Sequence, residues 1–169
     1  MRLAIFAFTP ADLAGAGASS MDVSGTIDAI LGKKGGEIFS ISPDATVYDA
    51  IVLMAEKNVG ALIVVHEGRL SGMVSERDYT RKVMLRGKRS RETQVREIMS
   101  SDLTVVTPRE PVENCLRMMT DKRIRHLPVV EGDTLRGVIS IGDLVKWVIA
   151  SQSATIAHLE SYISGGYSG

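Results

Sequence analysis

Apolar residues in this chain switch between helical and strand periodicity, and the whole sequence of switches occurs twice. Val47, Ala50, Ile51 and Met54 recur at helical spacing. They predict an amphipathic helix over 47–58, entered through the turn Ser42-Pro43-Asp44-Ala45-Thr46. Gly60 ends that periodicity. Leu62 to Val65 is a short, partly β-branched apolar run, the mark of a buried strand. Glu67-Gly68-Arg69 predicts a tight hairpin turn, followed by a return strand over 70–74. Ser75 then N-caps a helix expected to run through Tyr79, Val83 and Met84 to Gly87. The second half predicts a helix over 112–123, a strand over 127–130, a turn at Glu131-Gly132-Asp133 and a strand over 135–139. A last helix starts at Ser140 and either continues past Trp147 and Ile149 or restarts near Ser153 to reach Tyr162.

The two halves align without a gap at an offset of 65 residues. Pro43 matches Pro108, Val47 matches Val112, Met54 matches Met119 and Gly72 matches Gly137. Ser75 and Asp78 match Ser140 and Asp143. A weaker echo precedes each copy: residues 26–31 resemble 94–99, three positions out of step. The period is too long, and the copies too few, for a solenoid. Each copy reads as β-α-β-β-α, too few elements to cover both faces of its sheet. The expected fold is therefore α/β (α+β), with two pseudo-two-fold-related units packed sheet to sheet. The expected boundaries are an extension over 1–23, a first repeat over 24–87, a connector over 88–93, a second repeat over 94–150 and a C-terminal helix and tail over 151–169. The extension reads as disordered or non-native, with a targeting peptide or an added helix as alternatives.

Composition narrows the function. Net charge is zero, with 20 basic and 20 acidic residues, so nothing draws the chain toward nucleic acid or an anionic membrane. No apolar run approaches the length of a membrane span. Cys115 is the one cysteine, which rules out an intrachain disulfide and a cysteine zinc site. It replaces Ala50 on the apolar helix face and reads as buried and inert. A reducing compartment, the cytoplasm, is expected. The three histidines are scattered without metal-ligand spacing, so no metal site is expected.

The candidate chemistry lies in the doubled Ser-x-x-Asp, which follows Gly-x-x in both copies. Taken singly, the pattern is a plain capping box. Its functional reading is that an Asp in the first helical turn accepts hydrogen bonds from a ribose diol, its charge tolerated by the helix dipole. The Ser hydroxyl and free N–H groups of that turn suit a phosphate. Met73 and Val74, or Val138 and Ile139, could pack on a flat purine. Arg77, Arg81 and Lys82 read either as a solvated helix face or as phosphate contacts. No nucleophile–base pair or P-loop is visible, so no catalytic residue is expected.

These residues, with Leu127-Pro128-Val129-Val130, resemble a tandem pair of cystathionine-β-synthase (CBS) domains, or Bateman module, over roughly Thr26 to Ile149. Ser75-Glu76-Arg77-Asp78-Tyr79 followed by Arg81-Lys82 is similar to the small stand-alone CBS-pair proteins. The resemblance implies two clefts between the halves for adenosine ligands such as AMP, ADP, ATP, S-adenosylmethionine or NAD(H), with no cofactor otherwise required. It implies a disc-like homodimer and a separate regulated protein. It implies a second site of Asp143, Ser140, Arg125, His126 and Ile139, with Thr46, Ala50 and Leu62 from the first copy lining the purine pocket. It implies a first site of Asp78, Ser75, Arg77, Arg81, Gly60, Ala61, Met73, Leu127 and Pro128. The Asp143 site is expected to be the better phosphate site, because Gly60 and Ala61 replace Arg125 and His126 in the other. The functional expectation is a non-enzymatic energy or redox sensor. The alternative is a ligand-independent scaffold for a partner enzyme or transporter.

Overall fold

The computed structural model describes residues 25–35 and 37–165; the extension expected over 1–23 lies outside them. Helix α1 (Ile27–Lys34) is followed by a short strand β1 (Ser40–Ile41), helix α2 (Val47–Lys57), strands β2 (Ala61–His66) and β3 (Arg69–Ser75), and helix α3 (Glu76–Lys82). The second copy supplies α4 (Val112–Asp121), β4 (His126–Glu131), β5 (Thr134–Ser140) and α5 (Ile141–Gly165). Short 3₁₀ turns lie at Met84–Arg86 and Val95–Glu97.

Local chemistry accounts for most boundaries. Helix α2 buries Val47, Ala50 and Met54 on one stripe. A capping box from Thr46 and Asp49 starts it, and Asn58 in the left-handed region ends it. Helix α4 buries Val112, Cys115 and Met119 in the equivalent way. The hairpins β2–β3 and β4–β5 have the same register and the same bulge, between Val64 and Val65 and between Val129 and Val130. In the first turn Glu67 and Gly68 both have positive φ, as a type I′ turn requires; in the second only Gly132 does.

Two expectations are corrected. The helix after Ser75 ends at Lys82 rather than Gly87. Val83 leaves helical geometry to enter the core, and a single 3₁₀ turn closes on left-handed Gly87. The second correction concerns the sheets. The first has three strands in the order β1-β2-β3, but among the described residues the second has only β4-β5. Its first strand shrinks to one parallel bridge, Val106 to Val129, the counterpart of Ile41 to Val64. The cause is Pro128. Its counterpart Ile63 donates its N–H to the Phe39 carbonyl at 3.1 Å; proline has no N–H to give. For the last helix, the continuous alternative is found, since α5 is a single run of 25 residues.

The interior consists of two clusters, and each takes residues from the far side of the repeat boundary. Ile27 and Ile30 of α1 pack with Val112, Cys115, Met119, Leu127 and Ile139 of the second copy. Val95 and Ile98 pack with Val47, Met54, Leu62 and Val74 of the first. The echoed segments 26–31 and 94–99 are therefore lead-ins that each complete the other copy's core. Backbone bonds repeat the exchange: Ile27 N–H to Glu110 and Asp28 N–H to Pro108 on one side, Val95 N–H to Ala45 and Arg96 N–H to Pro43 on the other. Among the described residues no helix is long and apolar enough to cross a membrane.

The paired glycines exist for this exchange. A Cβ at Gly72 would stand 2.8 Å from the Ser100 carbonyl oxygen, and one at Gly137 would stand 2.7 Å from Leu31 Cδ2. Ser100 is fixed, because it exchanges both backbone hydrogen bonds with Met73 at 3.0 and 2.9 Å. Leu31 offers only the end of a flexible side chain. Gly72→Ala is thus expected to cost more than Gly137→Ala, toward the upper end of the ~1–3 kcal/mol typical of overpacking. Urea denaturation of the two variants checks the order.

Candidate functional site

Both Ser-x-x-Asp motifs form capping boxes. At α3 the Asp78 Oδ2 accepts from the Ser75 N–H (3.0 Å) and the Ser75 hydroxyl (2.6 Å). At α5 the Asp143 Oδ2 accepts from the Ser140 N–H (2.8 Å) and hydroxyl (2.7 Å). Thr46 and Asp49 make the same box at α2. The spacing by itself therefore specifies a helix start, and the surroundings distinguish a site from a cap.

Those surroundings differ between the copies. Asp143 is engaged by Lys34, whose ammonium sits 2.7 Å from Oδ2 and also donates to the Val138 carbonyl at 3.0 Å. Burial pushes the Asp143 carboxyl up, but its bonds to Lys34 and Ser140 outweigh this and hold it below the usual aspartate range. Lys34 arrives on α1, the exchanged lead-in. At the offset that relates 26–31 to 94–99, its counterpart is Asp102, which lines the cleft at Asp78. There the second carboxylate oxygen, Asp78 Oδ1, pairs instead with Lys82 of its own helix at 2.8 Å. Lys82 also donates to the Ile98 carbonyl at 2.6 Å.

Around Asp78 the two copies enclose a cavity of about 440 Å³, within the range of small-molecule sites. One wall is Ser75, Glu76, Arg77, Asp78, Arg81 and Lys82, with Gly60 and Met73 behind them. The facing wall is Lys122, Arg123, Ile124, Arg125, His126 and Pro128 from the end of α4 and the start of β4. Ser100, Asp102, Leu103 and Thr104, which follow the second lead-in, close one side. Arg77 donates across the cavity to the Arg123 carbonyl at 2.5 Å and joins the two walls. Gly60 is the counterpart of Arg125; a Cβ there would lie 3.5 Å from His126 Cε1 and 3.7 Å from Glu76 Oε2, so glycine keeps the space open.

Of the residues expected at the Asp78 site, the cavity contains Asp78, Ser75, Arg77, Arg81, Gly60, Met73 and Pro128. Ala61 lies beside it on β2, and Leu127 is fully buried in the second core. Arg125 and His126, expected with Asp143, line the Asp78 cavity as well: His126 feels the charges of Lys34 and Asp143, and the Arg125 carbonyl accepts from the Ile141 N–H at the start of α5. On the Asp78 side His126 reaches Gly60 of the other copy. Ala50 and Leu62, expected against a purine, are sealed inside the first core and present no surface. Ile139 is likewise buried in the second, and Thr46 spends its hydroxyl on the α2 cap. Lys122, Arg123 and the Asp102–Thr104 segment were not anticipated. The run Lys122-Arg123-Ile124-Arg125-His126 against its twin Lys57-Asn58-Val59-Gly60-Ala61 was a legible signal of charge asymmetry. Asp102 and Thr104 carried none.

His126 is driven below its ordinary imidazole pKa by burial first and then by Lys34 and Arg125, with Asp143 opposing. It is neutral near pH 7. Cys115 is fully buried, and burial with Glu110 nearby raises its thiol to about 11, which leaves it unreactive. Among the described residues no cluster of His, Cys, Asp and Glu could hold a metal ion.

The CBS domain family model matches this chain twice, over residues 35–85 and 95–150. The chain belongs to the CBS domain family. A mitochondrial CBS domain-containing protein of Arabidopsis thaliana, CBSX3, is 40% identical over 153 residues, covering 85% of this chain and 74% of that protein. A signal-transduction protein with CBS domains from Burkholderia ambifaria has a solved structure that superposes with a TM-score of 0.73 at 47% identity, covering 76% of this chain and 96% of that one. A further CBS pair, 20% identical, shares the fold with a TM-score of 0.67 over 75% of this chain and 98% of its own; it was solved with 5′-methylthioadenosine and S-adenosyl-L-methionine.

The perturbed groups give the CBS pair an acid limb. The unfolded chain takes up the His126 proton near the ordinary value of about 6.5, before the folded protein does. The stability His126 contributes is therefore present above that value and is lost as pH falls below it. Asp143 acts the same way at lower pH, losing its contribution as pH falls through its depressed folded value. Urea midpoints measured from about pH 7 to 5 should fall in the parent protein, and fall less in His126→Asn.

Proposed function

We propose that this CBS pair is a non-enzymatic regulatory module that binds one adenine nucleotide per chain in the Asp78 cleft. The observation that carries the reading is the cavity itself, which joins Asp78 of the first copy to Arg125 and His126 of the second. Asp78 is a ribose acceptor, since a carboxylate oxygen already paired with Lys82 still has a lone pair to offer. Met73 and Pro128 supply apolar surface for the base, and the cations of the facing wall receive phosphate. AMP, ADP, ATP and NAD(H) share these groups. The complex of a fold-mate with two adenosyl compounds fits this class of ligand. Because the ligand touches both copies, it favours whichever angle between them places the two walls at the right separation. The output then passes to a separate regulated protein.

The Asp143 side is proposed as the silent one: both carboxylates carry a lysine, but it is Asp78 that opens onto the cavity. Exposed Ile141, Val145, Ile149 and Ile156 form one stripe along α5 and are proposed as the contact between two copies in a homodimer. The same stripe favours the second reading, a ligand-independent scaffold. A reducing compartment, the cytoplasm, is the proposed location, consistent with the single buried thiol.

Calorimetric titration of nucleotide-stripped protein tests the main reading. Saturable binding with one site per chain is expected. Asp78→Ala should weaken it by about 1.5–3 kcal/mol, the cost of losing hydrogen bonds to a charged acceptor, whereas Asp143→Ala should leave it unchanged. Folding of Asp78→Ala is checked by circular dichroism, and exposed Arg125→Ala provides an independent probe. Silence toward AMP, ATP and NADH alike would transfer the assignment to the scaffold. Ile149→Glu should shift a dimer to monomer in sedimentation velocity.

A further inference from the structure

The Asp78 cavity continues into a second, more open hollow of about 460 Å³. The two share Arg77, Arg81, Arg123, Ile124 and Arg125. They differ in their acidic residues. The inner chamber holds the carboxylates Glu76, Asp78 and Asp102 beside its cations. Among the described residues the outer hollow has four arginines and no carboxylate; its remaining lining is Thr80, Met119, Thr120, Ile124 and Ile141. Among the described residues, no acidic group forms an ion pair with any of these four guanidinium groups. Four like charges converging without counter-charge repel one another, so the hollow is set up for an anion of high charge.

Arg123 strengthens the case. It has φ of +53° at the end of α4, where its twin at the end of α2 is Asn58 with φ of +52°. Asparagine tolerates the left-handed region far better than arginine does. The second copy therefore accepts backbone strain to put a guanidinium at the mouth of the cavity, and strain of this kind collects at binding sites.

We infer that the site is graded along its length, with the nucleoside in the mixed-charge chamber and a polyphosphate tail in the arginine hollow. It therefore selects nucleoside di- and triphosphates over monophosphates. This rests on the nucleotide reading above and sharpens it. The four arginines, which line both spaces, together receive the tail.

The test is magnesium-free calorimetry with adenosine, AMP, ADP, ATP and inorganic tripolyphosphate on the full chain. Affinity should rise with each phosphate, and ATP should bind at least tenfold more tightly than AMP. The double variant Arg81→Ala/Arg125→Ala, both sites being exposed, should weaken ATP far more than AMP and so erase most of that ratio. Arg123→Asn installs the twin residue. It should raise the urea midpoint while lowering ATP affinity, a pairing that a purely structural arginine would not produce. Equal affinity for AMP and ATP in the parent protein would overturn the inference and leave the nucleotide reading intact. Tripolyphosphate binding as tightly as ATP would overturn it by removing the nucleoside. Absence of binding by every adenine compound would remove both.

Discussion

Six backbone hydrogen bonds, three on each side in matched pairs, tie the two lead-in segments to the repeats they complete. Gly25, Ile27 and Asp28 bond to Val112, Glu110 and Pro108; Thr93, Val95 and Arg96 bond to Val47, Ala45 and Pro43. Every bond in one set has its twin in the other. Each lead-in also adds two fully or nearly fully buried apolar side chains to the core it joins: Ile27 and Ile30 on one side, Val95 and Ile98 on the other. Burying such a side chain is worth about 1.5–3 kcal/mol, so neither core is complete without its borrowed segment. The two copies cannot separate without opening both cores.

The same exchange breaks the symmetry that the duplication created. A lead-in delivers its trailing residues to the helix start of the repeat it joins. One delivers Lys34 to Asp143; the other delivers Ser100 and Asp102 to the neighbourhood of Asp78. The ammonium closes on the first carboxylate. The second keeps an open chamber in front of it, faced by the cations of the α4–β4 junction. Two identical motifs thus acquire different surroundings from single-residue differences, Lys34 against Asp102 in the lead-ins and Arg125 and His126 against Gly60 and Ala61 inside the aligned repeat. Pro128 adds to the asymmetry: by withholding an N–H from the strand before it, it frees residues 102–104 from the sheet, and these form one side of the cavity.

Much of this was legible in the chain. The 65-residue register predicted which residues are equivalent, and the hairpin bulges and the parallel pairs at Ile41 and Val106 obey it. Helical periodicity located the stripes of α2 and α4, because side chains that must be buried together recur at the helix repeat whatever they pack against. The lead-in echo was visible too, although not its destination. The pocket assignments for Ala50 and Leu62 went astray because an apolar residue is equally suited to a core and to a purine wall, and periodicity cannot distinguish the two.

The sequence by itself determined the local elements, the duplication and the two helix caps, because these depend on residues within a few positions or in fixed register. Only the tertiary structure decided which copy each lead-in joins, and hence which charges meet which carboxylate. Arg125 and His126 precede the Asp143 motif in the chain, yet they also line the cavity at Asp78, because His126 reaches Gly60 of the other copy. Electrostatic partnership depends on distance in space. Lys34 and Asp143, 109 positions apart in the chain, are 2.7 Å apart in the fold.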